Sequence, residues 1–186
     1  MWYNILRGES MKKLIIMVCL SMALVGCRRT VNIDEDRKQK YESYITAIED
    51  SENKLTSSSN FDITLAVNRL SETEYRYDVI IDNPKIAMYG IEVLVVERNV
   101  VGTINEDKLM PSVGIFESNT YNMLPNQHDI DKGFPKGITV GGTTEQSEIT
   151  VYVLVVWTEQ NQQAQKREIF VVQGKYDPDA KTEVES

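Results

Sequence analysis

Residues 149–157, Ile-Thr-Val-Tyr-Val-Leu-Val-Val-Trp, constrain the fold of this chain more than any other stretch. Nine consecutive aliphatic, β-branched or aromatic side chains favour extended backbone, because branching at Cβ restricts the rotamers a helix allows. A strand that is apolar on both faces needs packing on both, so it belongs in the middle of a sheet. Residues 167–173 repeat the extended pattern after a polar turn at 159–165, which predicts a hairpin. Upstream the pattern has period two. Phe61, Ile63, Leu65 and Val67 alternate with Asp62, Thr64, Ala66 and Asn68, and Tyr75, Tyr77, Val79 and Ile81 alternate with Arg76, Asp78, Ile80 and Asp82. Each set reads as a strand with one buried face. Asp82-Asn83-Pro84-Lys85 carries turn chemistry, and residues 89–98 then place Ile91, Val93 and Val95 on one side and Leu94 and Val96 on the other.

Between 32 and 54 the period is helical instead. Tyr41, Tyr44, Ile45 and Ile48 recur at i, i+3, i+4 and i+7, and Asp34, Glu35 and Asp36 fall where a helix N-terminus favours negative charge. One amphipathic helix over 34–53 is expected. Its apolar stripe is narrow, which suits loose docking or a stalk, and Thr56-Ser57-Ser58-Ser59-Asn60 reads as a polar linker. Residues 99–146 are rich in Asn and Gly and read as a long loop, broken by short apolar pieces at 113–116 and 138–140. Five long strands, rising to seven with those pieces, and no helix between them predict a mainly β protein. The architecture expected is an antiparallel β-sandwich over 61–176, preceded by one amphipathic helix and followed by an acidic tail at 177–186.

The N-terminal residues follow a different grammar. Met11, Lys12 and Lys13 precede the apolar run 14–25, which at 12 residues is short of the roughly 20 needed to cross a bilayer. A charged start, an apolar middle and a small residue before a cysteine make a secretory signal. Leu24-Val25-Gly26-Cys27 resembles the lipobox of bacterial prolipoproteins. The resemblance implies cleavage between Gly26 and Cys27, a diacylglyceryl thioether on Cys27, and anchorage to the extracytoplasmic face of a bacterial membrane. Stable anchorage takes more than one acyl chain, each buried methylene contributing about 0.8 kcal/mol. Arg28 and Arg29 would then meet anionic headgroups, at about 1 kcal/mol per charge. Residues 1–10 fit no region of a signal, and Arg7-Gly8-Glu9 admits purine-rich codons like those of a ribosome-binding site. Met11 is therefore the expected start, with 1–10 a translated leader and 11–26 the signal. The segment 75–97, strand then Asp-Asn-Pro then strand, resembles the middle hairpin of the immunoglobulin-like domains of small Gram-positive lipoproteins. That resemblance implies architecture and no functional residue.

Charge narrows the function classes. The whole chain has a formal net charge of -8, and removing residues 1–26, which hold Arg7, Lys12 and Lys13 against Glu9, leaves 160 residues at -10. Such a balance argues against nucleic acid as a partner. Cys19 leaves with the signal and Cys27 is spent on lipid, so the exported domain is expected to have no disulfide. His128 is the only histidine, and any catalytic triad or histidine-bound metal must use it. It lies in Asn126-Gln127-His128-Asp129-Ile130-Asp131 and reads as a solvated loop residue rather than a base. Asp129-Ile130-Asp131-Lys132-Gly133 opens like a calcium loop but lacks the third acid and the closing Glu. Tyr75, Tyr77 and Tyr89 are candidates for an aromatic binding face, though alternating tyrosines usually pack across strands. No cofactor, metal or catalytic residue is called for. The expectation is a non-enzymatic binding or structural module of the cell envelope, with the bilayer as one partner through acylated Cys27 and an envelope protein as another. A solute or ion receptor with 99–146 as a lid is the alternative, and a hydrolase using His128 a third.

Overall fold

The structure is a computed structural model that describes residues 34–98, 109–159 and 164–179. It contains helix α1 (Glu35–Asp50) and strands β1 (Asp62–Arg69), β2 (Tyr75–Asp82), β3 (Tyr89–Glu97), β4 (Ser112–Val113), β5 (Gly137–Thr144), β6 (Glu148–Thr158) and β7 (Gln165–Lys175). Two antiparallel sheets form, one of order β1-β2-β5 and one of order β4-β3-β6-β7. Strands one, two and five against three, six and seven is the partition of immunoglobulin-like sandwiches, here with the fourth strand added beside the third. The protein is therefore mainly β, a sandwich preceded by one helix.

Patterning explains the layers. Tyr77, Val79 and Ile81 of β2 meet Val93 and Val95 of β3 and Val151, Val153, Val155 and Trp157 of β6 in the core between the sheets. Phe61 stands edge-on to Trp157, with ring centroids 5.7 Å apart and planes at 88°. The opposite face of the four-stranded sheet exposes Leu94, Val96, Leu154 and Val156, and α1 covers it with Tyr41, Tyr44, Ile45 and Ile48. Two apolar faces on β3 and β6 thus follow from two layers packed on one sheet. The narrow stripe of α1 is fully used, since Ile48 is 1% exposed and Tyr41 2%. This corrects the expectation of a loosely docked helix or stalk: all four side chains of the stripe are buried in one cluster with the sheet.

The Asp34 carboxylate accepts from Asp36 N (3.1 Å) at the N-cap. The helix stops at Asp50, three residues short of expectation, because Ser51 turns extended and Leu55 adds to the edge of β7. Leu55 N donates to Ile169 O (2.8 Å) and Leu55 O accepts from Val171 N (2.9 Å). The polar linker is then held at Asn60, which donates to Glu168 Oε1 (2.7 Å) and accepts from Lys85 N (2.7 Å).

Two further expectations are overturned. The segment 75–97 is no hairpin: β2 pairs with β1 and β5, whereas β3 pairs with β4 and β6. Asn83 adopts φ 47° before Pro84, and the chain crosses from one sheet to the other instead of folding back. The stretch read as a loop over 99–146 carries strands at both of its short apolar pieces: 138–140 lies within β5, an eight-residue strand paired along its length with β2, and Val113 lies in the short β4. Gly141 and Gly142 hid the length of β5, because they dilute the apolar signal. Gly142 is required by packing, since a Cβ there would lie 2.7 Å from the Tyr77 hydroxyl. The β6–β7 hairpin is as expected and longer, with 148–158 registered on 165–175.

Candidate functional site

Three places hold the residues that carry chemistry. The first is the joint between α1 and the sheet. Glu92 lies on the outward face of β3, beside a bulge between Tyr89 and Glu92, with its side chain only 13% exposed. Lys40 Nζ reaches Glu92 Oε1 at 2.7 Å, and the Tyr44 hydroxyl donates to Glu92 Oε2 in a short hydrogen bond. Burial, then the hydrogen bond to Glu92 and its negative charge, hold the Tyr44 hydroxyl well above the ordinary tyrosine range. Arg37 Nη1 donates to Phe116 O (2.6 Å), and Met110 N donates to the Tyr41 hydroxyl (2.9 Å). Burial also raises Tyr41. The helix is therefore fixed by directional bonds as well as by apolar contact. Glu92 was not singled out from sequence; a lone acid inside an otherwise apolar strand was the available signal.

The second place is the end of the sandwich that carries the 83–85 turn. A groove of about 340 Å³ is lined there by Asp82, Asn83, Leu124, Gln127, His128 and Lys136. His128 is exposed. Asp129 caps a single 3₁₀ turn, Ile130–Lys132: its Oδ1 accepts from Lys132 N (3.3 Å) and its Oδ2 pairs with Lys132 Nζ (2.8 Å). Gly133 closes the turn at φ 78°. The carboxylate that would open a calcium loop is thus committed to its own turn. Among the described residues no group of three or more His, Cys, Asp or Glu is arranged to hold a metal ion. Nearby, hydrogen bonds from Asn83 and then Lys85 hold Asp62 below the ordinary carboxylate range.

The third place is the opposite end. A shallow groove of about 640 Å³ runs past Thr73, Glu74, Glu97, Thr143, Glu145 and Gln146. A second, of about 450 Å³, shares Glu97 and Gln146 and continues to Arg98, Glu148 and Thr150. Behind them Tyr77 is fully buried and donates to Glu97 Oε1 (3.3 Å). Burial and the Glu97 charge raise it above the ordinary tyrosine range. Both grooves are open and polar, a form suited to macromolecular contact more than to enclosing a small apolar ligand.

The three tyrosines do not form one face. Tyr77 points into the core, Tyr75 packs on Tyr176 with centroids 5.5 Å apart, and Tyr89 lies on β3 in the other sheet. Because 137–144 is a sheet strand, that part of the proposed lid is part of the sandwich wall. Gly26, Cys27, Arg28 and Arg29 lie outside the described residues. No helix among the described residues is long and apolar enough to cross a membrane. No known family model matches the chain, and no curated protein matches it.

Proposed function

We propose that this chain is an extracytoplasmic lipoprotein of a bacterial membrane, anchored through acylated Cys27, whose sandwich is a non-enzymatic binding or structural module of the cell envelope. The observation that carries this reading is the ordered run from Met11 through the lysines and the apolar segment to Leu24-Val25-Gly26-Cys27. Only seven residues lead from Cys27 to Asp34, and an extended chain covers at most about 3.6 Å per residue, so the tether reaches roughly 25 Å. Its far end is a helix bound to the sheet, which supports a domain held near the bilayer surface, within reach of envelope proteins. The net charge of -10 on residues 27–186 argues against a nucleic acid as partner.

The test is to express the full chain in a bacterium beside Cys27→Ser. Wild type is expected in the detergent phase and the variant in the aqueous phase; equal partitioning overturns the anchor. A thermal-shift panel of sugars, peptides and divalent cations is expected to leave the midpoint unchanged. A ligand that raises it by mass action would replace the module reading with that of a solute or ion receptor.

A further inference from the structure

We infer that β5 is a pairing edge through which two copies of this chain join, each extending the other's three-stranded sheet. The inference deepens the reading of the sandwich as an interaction module by naming its surface and its occupant. It does not depend on the lipid anchor.

A sandwich has four sheet edges, and exposed edges invite pairing unless something blunts them. Three of the four are blunted. The edge of β7 takes the backbone of Leu55 at Ile169 and Val171, and it opens on the charged Lys166 and Arg167. The edge of β4 is two residues long, set between Pro111 and Gly114. The edge of β1 carries charge at both ends, Asp62 and Arg69, and its Leu65 and Val67 pack over Gly174 of β7. The fourth edge, β5, differs from these. Its eight residues, Gly-Ile-Thr-Val-Gly-Gly-Thr-Thr, include no charge and no proline, and among the described residues its backbone pairs with β2 alone. Thr139 and Thr143 on its outer face are exposed. The helix that guards the protein's other large apolar surface lies on the four-stranded sheet and leaves this edge uncovered.

The sequence of the edge favours a second copy as occupant. Lys136 precedes the strand and Glu145 follows it. Antiparallel pairing about a two-fold axis brings the lysine end of one strand to the glutamate end of the other, whereas parallel pairing would set like against like. A two-fold axis normal to the sheet keeps both cores on one side, so inward residues must oppose inward residues. Centring the axis on Gly141 satisfies this: Ile138 then faces Thr144 and Val140 faces Gly142 on the core side, while Thr139 faces Thr143 on the outer side. Threonine opposite threonine is a favourable cross-strand pair.

The experiment uses the full chain, made in a bacterium and reconstituted in phosphatidylethanolamine–phosphatidylglycerol vesicles, with a nitroxide on Thr139→Cys. In the register above, Thr139 and its copy are four residues apart along neighbouring strands. At 3.4 Å rise per residue and about 4.8 Å between strands, that is roughly 15 Å. Strong dipolar broadening is expected, lost on dilution with unlabelled wild type and lost in Thr139→Cys/Thr143→Lys, whose far-UV circular dichroism should match wild type. An unbroadened spectrum at high surface density overturns the inference, as does broadening that Thr143→Lys leaves intact. Label uptake by the chain without Thr139→Cys would instead reveal a free thiol and overturn the lipid anchor, so the two failures are distinguishable.

Discussion

Ile48→Ala is the sharpest test of whether α1 belongs to the folded unit. Ile48 is 1% exposed and packs in the cluster with Leu94, Val96, Leu154 and Val156. The substitution removes three carbons from that layer, a transfer loss of about 2.4 kcal/mol at roughly 0.8 kcal/mol per methylene. A residual cavity adds to this, and isoleucine-to-alanine changes in cores cost about 2–5 kcal/mol in all. Alanine is the better helix former by up to about 0.7 kcal/mol, which offsets part of the loss. A net cost near 3 kcal/mol remains. For a domain of this size each kcal/mol moves the midpoint by about 2–4 °C, so a fall of roughly 6–12 °C is expected by circular dichroism, in one cooperative transition. Glu42→Ala, on the exposed face of the same helix, is the control and should stay within about 0.5 kcal/mol of wild type. If Ile48→Ala melts within about 2 °C of wild type, the helix contributes nothing to the folded unit. The packing of α1 on the four-stranded sheet would then be refuted.

Alkaline pH should destabilise the fold. Tyr44, Tyr77 and Tyr41 are all held neutral above the ordinary range by burial. A raised native value means that the unfolded state releases its protons first, so stability is full below about pH 10 and falls as pH rises beyond it. Tyrosinate absorbance should therefore appear together with loss of structure, and Tyr44→Phe/Tyr77→Phe should flatten the pH dependence; tyrosines ionising in an intact fold would contradict this. Gly142→Val should cost about 1–3 kcal/mol in urea unfolding, because its Cβ would meet the Tyr77 hydroxyl at 2.7 Å and Pro111 Cγ at 3.1 Å. An unchanged midpoint would show that the Tyr77 ring and Pro111 can give way there without penalty.

How much was legible depended on whether the signal was local. The period-two segments at 61–67 and 75–81, the doubly apolar 89–98 and 149–157, and the helical spacing of Tyr41, Tyr44, Ile45 and Ile48 were each readable, because side-chain direction follows the backbone repeat. β5 was legible only at 138–140 and not in its full length, because glycine carries no apolar signal and Gly142 is set by the Tyr77 hydroxyl, far away along the chain. Glu92 was passed over for the same reason: its partners, Lys40 and Tyr44, are about fifty residues away along the chain.

The sequence by itself determined the five long strands, the helix face and the acidic balance. Tertiary structure alone decided that β2 and β3 part into different sheets, that α1 closes the outer face of one of them, and that β5 stands at the edge of the other. Strand formation is governed by neighbours in sequence. Strand partnership is governed by which apolar faces can be buried together, and that is a property of the whole molecule.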